Sequence, residues 1–189
     1  MMTVAEFLEG DEGWIRRHEY VGSSAHERAD GTNGHGDVVM NVLAALRGRA
    51  GASGCRVCSS ASMLRVRTGF DTRFYHPDAF VVRLQNGDDE VFEDHPVVVV
   101  EVLSPETRRI DMHEKLDAYF TISSLELCLL VEADRPEVTA WRRGDSGFVG
   151  EWYEGEEAVI PLPDPGNELT LLDVYMGCSL GSEEEGRAS

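Results

Sequence analysis

The stretch Val97-Val98-Val99-Val100-Glu101-Val102-Leu103 decides how this chain folds. Six aliphatic residues without polar alternation read as a central strand covered on both faces, because a strand with one wet face would alternate apolar with polar. Glu101 interrupts the run. A carboxylate in such a strand loses its hydration, so it must find a partner, stay protonated or bind a metal. Ser104-Pro105 ends the strand. Asp111-Met112-His113-Glu114 then reads as an N-cap with an acid at N3, opening a helix in which Met112, Leu116, Tyr119 and Phe120 share a face.

Working toward the N-terminus, Phe74 to Arg83 and Cys55 to Val66 read as two further extended segments, separated by glycine-containing and polar turns. Asp78 lies between Pro77 and Ala79-Phe80-Val81-Val82, a second acid inside a strand-forming stretch. Val38, Val39, Val42, Leu43 and Leu46 recur at helical spacing, which predicts a helix from His35 to about Arg49 packed on a sheet. Val21 to Gly34 lacks steady periodicity and reads as a loop or a hairpin poor in strand. Thr3-Val4-Ala5-Glu6 is a capping box that opens a short helix through about Leu8. Toward the C-terminus, Leu125 to Val131, Val138 to Arg142 and Phe148 to Tyr153 predict strands, with a short element in Leu169 to Met176. The order describes a mixed α/β domain built around one sheet over residues 1–180, followed by an acidic, flexible tail at 181–189.

Composition narrows the function. The chain has 189 residues, 42% of them hydrophobic, enough for one core without disulfides. Its 35 acids and 17 bases give a net charge of -18, and from Gly150 onward ten acids face a single base, Arg187. That charge repels a phosphate backbone, so nucleic-acid binding needs a local basic patch or bound cations. Cys55, Cys58, Cys128 and Cys178 are too scattered for a disulfide framework; Cys55-x-x-Cys58 has metal spacing but no second half-site, and reads as two small strand residues. No apolar run approaches membrane-spanning length and Met1 to Asp11 is acidic, which points to the cytoplasm and away from a membrane. Sixteen arginines accompany one lysine, Lys115.

If the segments holding Asp78 and Glu101 are neighbours, their carboxylates can share one divalent ion. Mg²⁺ (or Mn²⁺) takes oxygen ligands, and the backbone carbonyl of Val102 is the natural third protein oxygen. Lys115, 14 residues after Glu101, can reach such a site to position the attacking water and offset charge on a phosphate. The structural alternative is an exposed Asp111–Lys115 pair at i, i+4, worth about 0.3–0.5 kcal/mol.

The sequence resembles the Uma2 family, also called DUF820, endonucleases with the PD-(D/E)xK restriction-endonuclease-like fold. The matching pieces include Met2 to Leu8, His18 to Val21, Gly31 to His35, Phe74 to Asp78, Val99 to Pro105, Glu114 to Tyr119 and Leu169 to Tyr175, in family order over about residues 2–176. Pro77-Asp78 resembles the PD half-motif and Glu101-Val102-Leu103 the ExK half-motif, with Leu103 where lysine is usual. The resemblance implies that Lys115 replaces that lysine. It also implies a mixed β-sheet flanked by helices, metal-dependent hydrolysis and DNA as partner, with a homodimer left open. By the same resemblance Glu19, on an early helical segment, is an additional metal-site acid, and His35 an accessory group at the mouth of the site. His76 reads as a strand residue. The chain departs from the family at Ser23-Ser24 and at Ser62, where an acid is usual.

Two other readings compete. A non-catalytic interaction protein on the same fold would keep the acids for structure or use its acidic surface as a phosphate mimic. A two-carboxylate glycosidase would use Asp78 and Glu101 as acid and base, but it lacks an aromatic sugar platform and leaves Lys115 idle.

Overall fold

The computed structural model describes residues 1–11, 16–28, 31–50, 54–69, 71–105, 108, 110–163 and 167–180. The acidic tail expected at 181–189 lies outside them. In chain order the elements are α1 (Val4–Asp11), β1 (His18–Val21), β2 (Ser24–Glu27), α2 (Asn33–Ala50), β3 (Arg56–Ser59), β4 (Met63–Thr68), β5 (Asp71–Tyr75), β6 (Ala79–Val82), β7 (Phe92–Glu93) and β8 (Pro96–Leu103). A π-helical turn (Ile110–Lys115) runs into α3 (Leu116–Tyr119), followed by β9 (Leu127–Glu132), β10 (Glu137–Gly144), β11 (Gly147–Glu154), β12 (Val159–Pro161), β13 (Glu168–Thr170) and α4 (Leu171–Tyr175).

Among the described residues the strands form two main sheets and a β12–β13 ribbon. One sheet has the order β11-β10-β9-β8-β6-β3 and the other β2-β1-β5-β4-β7. In the first, β8 pairs parallel with β9 and antiparallel with β6, so it is mixed. All eight residues of β8 are buried, as an apolar run without alternation requires. The two faces of β8 serve different cores. Val98, Val100 and Val102 pack with α2, α4 and the ribbon, whereas Val99 and Leu103 pack with α3 and with Leu64, Val66 and Tyr75 of the second sheet. Each fully buried aliphatic contributes roughly 1.5–3 kcal/mol, so this layering fixes β8 at the centre of the molecule. Phe7 of α1 caps the far side of the second sheet against Tyr20 and Phe74.

The mixed α/β class stands, as do the helix at α2, the hairpin β10–β11 and the capping box. The backbone NH of Thr3 donates to Glu6 Oε2 at 2.7 Å and that of Glu6 to Thr3 Oγ1 at 3.2 Å. The expectation of one sheet does not stand. Cys55 to Val66 is two strands, broken at residues 60–62, and Phe74 to Arg83 is also two, broken at His76-Pro77-Asp78. Each break carries the chain from one sheet to the other. Pro77 cannot donate a ladder hydrogen bond, and that is where β5 and β6 part. Asp78 is therefore a junction residue, not a residue within a strand.

Two further expectations are corrected. Glu19 sits on strand β1, not on a helix. The segment expected as a loop or a strand-poor hairpin is a hairpin, in which Gly22 (φ 59°) and Ser23 (φ 63°) form the two-residue turn between the paired Val21 and Ser24. Positive φ at both central positions is the geometry that matches strand twist. Asp111, expected as an N-cap, falls inside the π-helical turn. The extra residue in that turn shifts the helical phase, so Met112 is exposed and Lys115 is turned inward.

Candidate active site

Register brings the two acids together. Ala79 pairs with Val100 across β6 and β8, so Asp78 stands one step beyond, beside Glu101. Both are buried, Asp78 at 3% and Glu101 at 1% exposure. The backbone NH of Val102 donates to Asp78 Oδ2 at 2.8 Å and ties the junction to β8.

The carboxylates meet different cations. Lys115 Nζ lies 3.3 Å from Glu101 Oε1 and 3.0 Å from Glu19 Oε1, so one ammonium bridges two acids from different sheets. Tyr119 OH donates to Glu101 Oε1 at 2.7 Å, and the backbone NH of His76 donates to Glu19 Oε1 at 3.2 Å. Burial, with the charge of Glu101 beside it, pushes the Tyr119 phenol well above its ordinary value, so it remains a donor. The four-residue face Glu101, Lys115, Tyr119 and Glu19 is thus closed by hydrogen bonds.

Next to this cluster, Asp78 Oδ1 accepts from Arg28 Nη2, and Asp78 Oδ2 lies 3.4 Å from His35 Nε2. His35 Nε2 is also 3.1 Å from the Val102 carbonyl oxygen. Burial alone would raise the Asp78 carboxyl, but the hydrogen bond to His35 and the charge of Arg28 hold it below the usual value. The Asp78 hydrogen bond raises His35 against the opposing effect of burial. Burial disfavours the charge on Arg28, yet Asp78 and Glu101 more than offset it and raise its pKa. Thr32 Oγ1 caps α2 by accepting from the His35 backbone NH at 3.2 Å. A Cβ on Gly31 would run into the His35 ring, so glycine there lets the imidazole lie down over Asp78.

The Asp78 group opens into a cavity of about 440 Å³, whose lining includes Arg16, Arg17, Arg28, Thr32, His35 and Asp78. The β1–β2 hairpin builds its basic wall. Arg16 and Arg17 precede β1 and Arg28 follows β2, and the Arg28 backbone NH closes on the Arg17 carbonyl at 2.9 Å. Sequence reading did not single out these arginines or Tyr119. The near-palindromic placement of Arg16-Arg17 and Arg28 about a Gly-Ser turn was the available signal.

Asp78, Glu101, Lys115, Glu19 and His35 are therefore brought to one region, and His76 is buried with its Nδ1 2.9 Å from the Ser60 carbonyl oxygen. Among the described residues no three His, Cys, Asp or Glu side chains form a metal cage. The donor chemistry nonetheless fits Mg²⁺, which uses one or two carboxylates and completes its shell with water. Asp78 Oδ2 and the Val102 carbonyl oxygen both face one atom, the donor His35 Nε2, so two hard oxygens from adjoining segments already share a focus. Burial pushes the Cys58 thiol up to about 11, against a metal-binding thiolate.

A family model described as "Uma2: Putative restriction endonuclease" matches residues 4–174. "Uncharacterized protein slr1290" of Synechocystis sp. is 24% identical over 181 residues, covering 93% of this chain and 92% of that protein. The crystal structure of "a putative nuclease belonging to DUF820" from Anabaena variabilis superposes with a TM-score of 0.71 at 16% identity, covering 93% of this chain and 98% of that one. At that identity the likeness is one of fold.

Proposed function

The chain belongs to the Uma2 family, and from that premise we propose that it is a metal-dependent endonuclease hydrolysing phosphodiester bonds in DNA. The observation that carries the reading is the buried Lys115 ammonium held between Glu19 and Glu101, one strand from Asp78. An idle structural strand would avoid two desolvated acids around one buried lysine, because each buried charge costs several kcal/mol unless compensated.

Asp78, Glu101 and the Val102 carbonyl would hold Mg²⁺ or Mn²⁺. Bound there, the ion would polarise the scissile phosphate and make its bound water a stronger nucleophile. Lys115, donor-only and fixed by two carboxylates, orients the oxygen of an attacking water and offsets negative charge growing on the phosphate. Glu19, the more accessible acid beside Lys115, accepts a hydrogen bond from that water and keeps its lone pair aimed at phosphorus. Tyr119 holds Glu101 in place through its hydroxyl.

Nicking of plasmid or single-stranded DNA in Mg²⁺ or Mn²⁺ is expected to vanish in Asp78→Asn and in Glu101→Gln. Cleavage that survives both changes rules this site out. Calorimetric titration with Mn²⁺ separates the alternative: no binding near millimolar concentration would leave a non-catalytic interaction protein on the same fold.

A further inference from the structure

The cavity beside Asp78 does not share the character of the molecule around it. The chain carries a net charge of -18, yet three of its sixteen arginines line this one opening. They are gathered by the hairpin, not by sequence adjacency alone. Arg17 Nη1 is steadied by Ser60 Oγ at 2.8 Å and Arg16 Nη1 by Glu27 Oε1 at 2.5 Å, so the guanidinium groups are held at the rim. Opposite them begins the eighteen-residue α2, with Gly36 in its first turn and open space where a Cβ would stand. The start of α2 presents a positive dipole end, and guanidinium forks match phosphate oxygens in pairs. Three arginines, a helix start and a cavity therefore converge on one ligand chemistry, a phosphodiester.

Size and charge then choose between nucleic-acid forms. A volume of about 440 Å³ has the scale of a small-molecule site and takes about one nucleotide unit. A duplex carries a charge every ~1.7 Å along its axis and presents its second strand to the surrounding surface. The chain as a whole carries a net charge of -18, so a second strand meets net repulsion. We propose that Arg16, Arg17 and Arg28 with the start of α2 form a phosphate clamp for a single unpaired nucleic-acid strand, feeding the phosphate next to the scissile one. The inference rests on the nuclease reading above but is tested without cleavage.

The test is fluorescence anisotropy of the full chain in EDTA, with a labelled oligothymidine and a duplex of the same length, over a KCl series. Single-strand binding is expected to be about tenfold or more tighter than duplex binding. Its log-log salt slope should be about -0.7 to -1.4, from the one or two phosphates that flank the bound nucleotide at ~0.7 each. The Arg16→Ala/Arg17→Ala double variant should lose more than half of that slope, and Arg16→Lys/Arg17→Lys should keep it. Equal or tighter duplex binding, no single-strand binding at low salt, or an unchanged slope in the alanine variant overturns the clamp. Because the assay contains no metal, loss of nicking with intact binding counts against the nuclease reading alone.

Discussion

The two buried carboxylates beside one another at β8 are treated in opposite ways. Glu101 faces a closed side, where Lys115, Tyr119 and Glu19 use one another's hydrogen-bonding capacity and the ammonium is itself 3% exposed. Asp78 faces an open side, where its partners are a guanidinium and an imidazole at the wall of a cavity. The difference teaches how one strand can serve two tasks. The closed side needs a low dielectric to fix a lysine against two acids, and the open side needs access for a phosphate. A single solvent-filled pocket around all seven groups would weaken the first.

The sharpest way to break that contrast is Lys115→Met, which leaves Glu101 and Glu19 buried without their shared cation. A loss of about 3–5 kcal/mol is expected in urea unfolding, as for other broken buried pairs. A variant as stable as the parent would mean that the closed side is wet. Tyr119→Phe removes one hydrogen bond to a charged acceptor and should cost about 1.5–3 kcal/mol, with nicking reduced because Glu101 is no longer held.

On the open side the effects are smaller. Arg16→Ala deletes an ion pair whose side chains are 56% and 51% exposed, so stability should change by about 0–1 kcal/mol while DNA binding weakens. His35 supplies the pH-dependent case. Its folded pKa lies above the ordinary 6.5, so its stabilisation is fully present below that value and is lost as pH rises through the folded pKa. The gap in urea midpoint between the parent and His35→Gln should therefore be widest below pH 6.5 and narrow above it. Asp78 has the opposite sign: its lowered pKa means a contribution present above 3.8 and lost as pH falls through the folded value. A gap that widens with rising pH would contradict the raised imidazole.

How much of this was legible beforehand depends on the range of the interaction. Glu101 announced itself because six aliphatic neighbours make any charge anomalous. The α1 capping box, α2 and the β10–β11 hairpin were equally readable, since caps, helical periodicity and turn residues act within a few positions. Asp78 was found for a related reason but misplaced, because periodicity cannot show that the strand changes sheet at Pro77. Lys115 was named from its solitude and from family resemblance. Its burial depends on a π-helical turn that carries no periodic signature. Glu19 was assigned to a helix, although the Gly22-Ser23 turn two residues beyond Tyr20 was the available sign of a hairpin.

By itself, then, the sequence determined the central buried strand, the anomalous carboxylate within it and the helices that flank it, all consequences of contacts between near neighbours in the chain. Only the tertiary structure decided that a closed lysine cluster lies next to an open arginine-lined cavity. That division comes from pairings across 50 residues between Arg28 and Asp78 and 14 between Glu101 and Lys115, which no local pattern encodes.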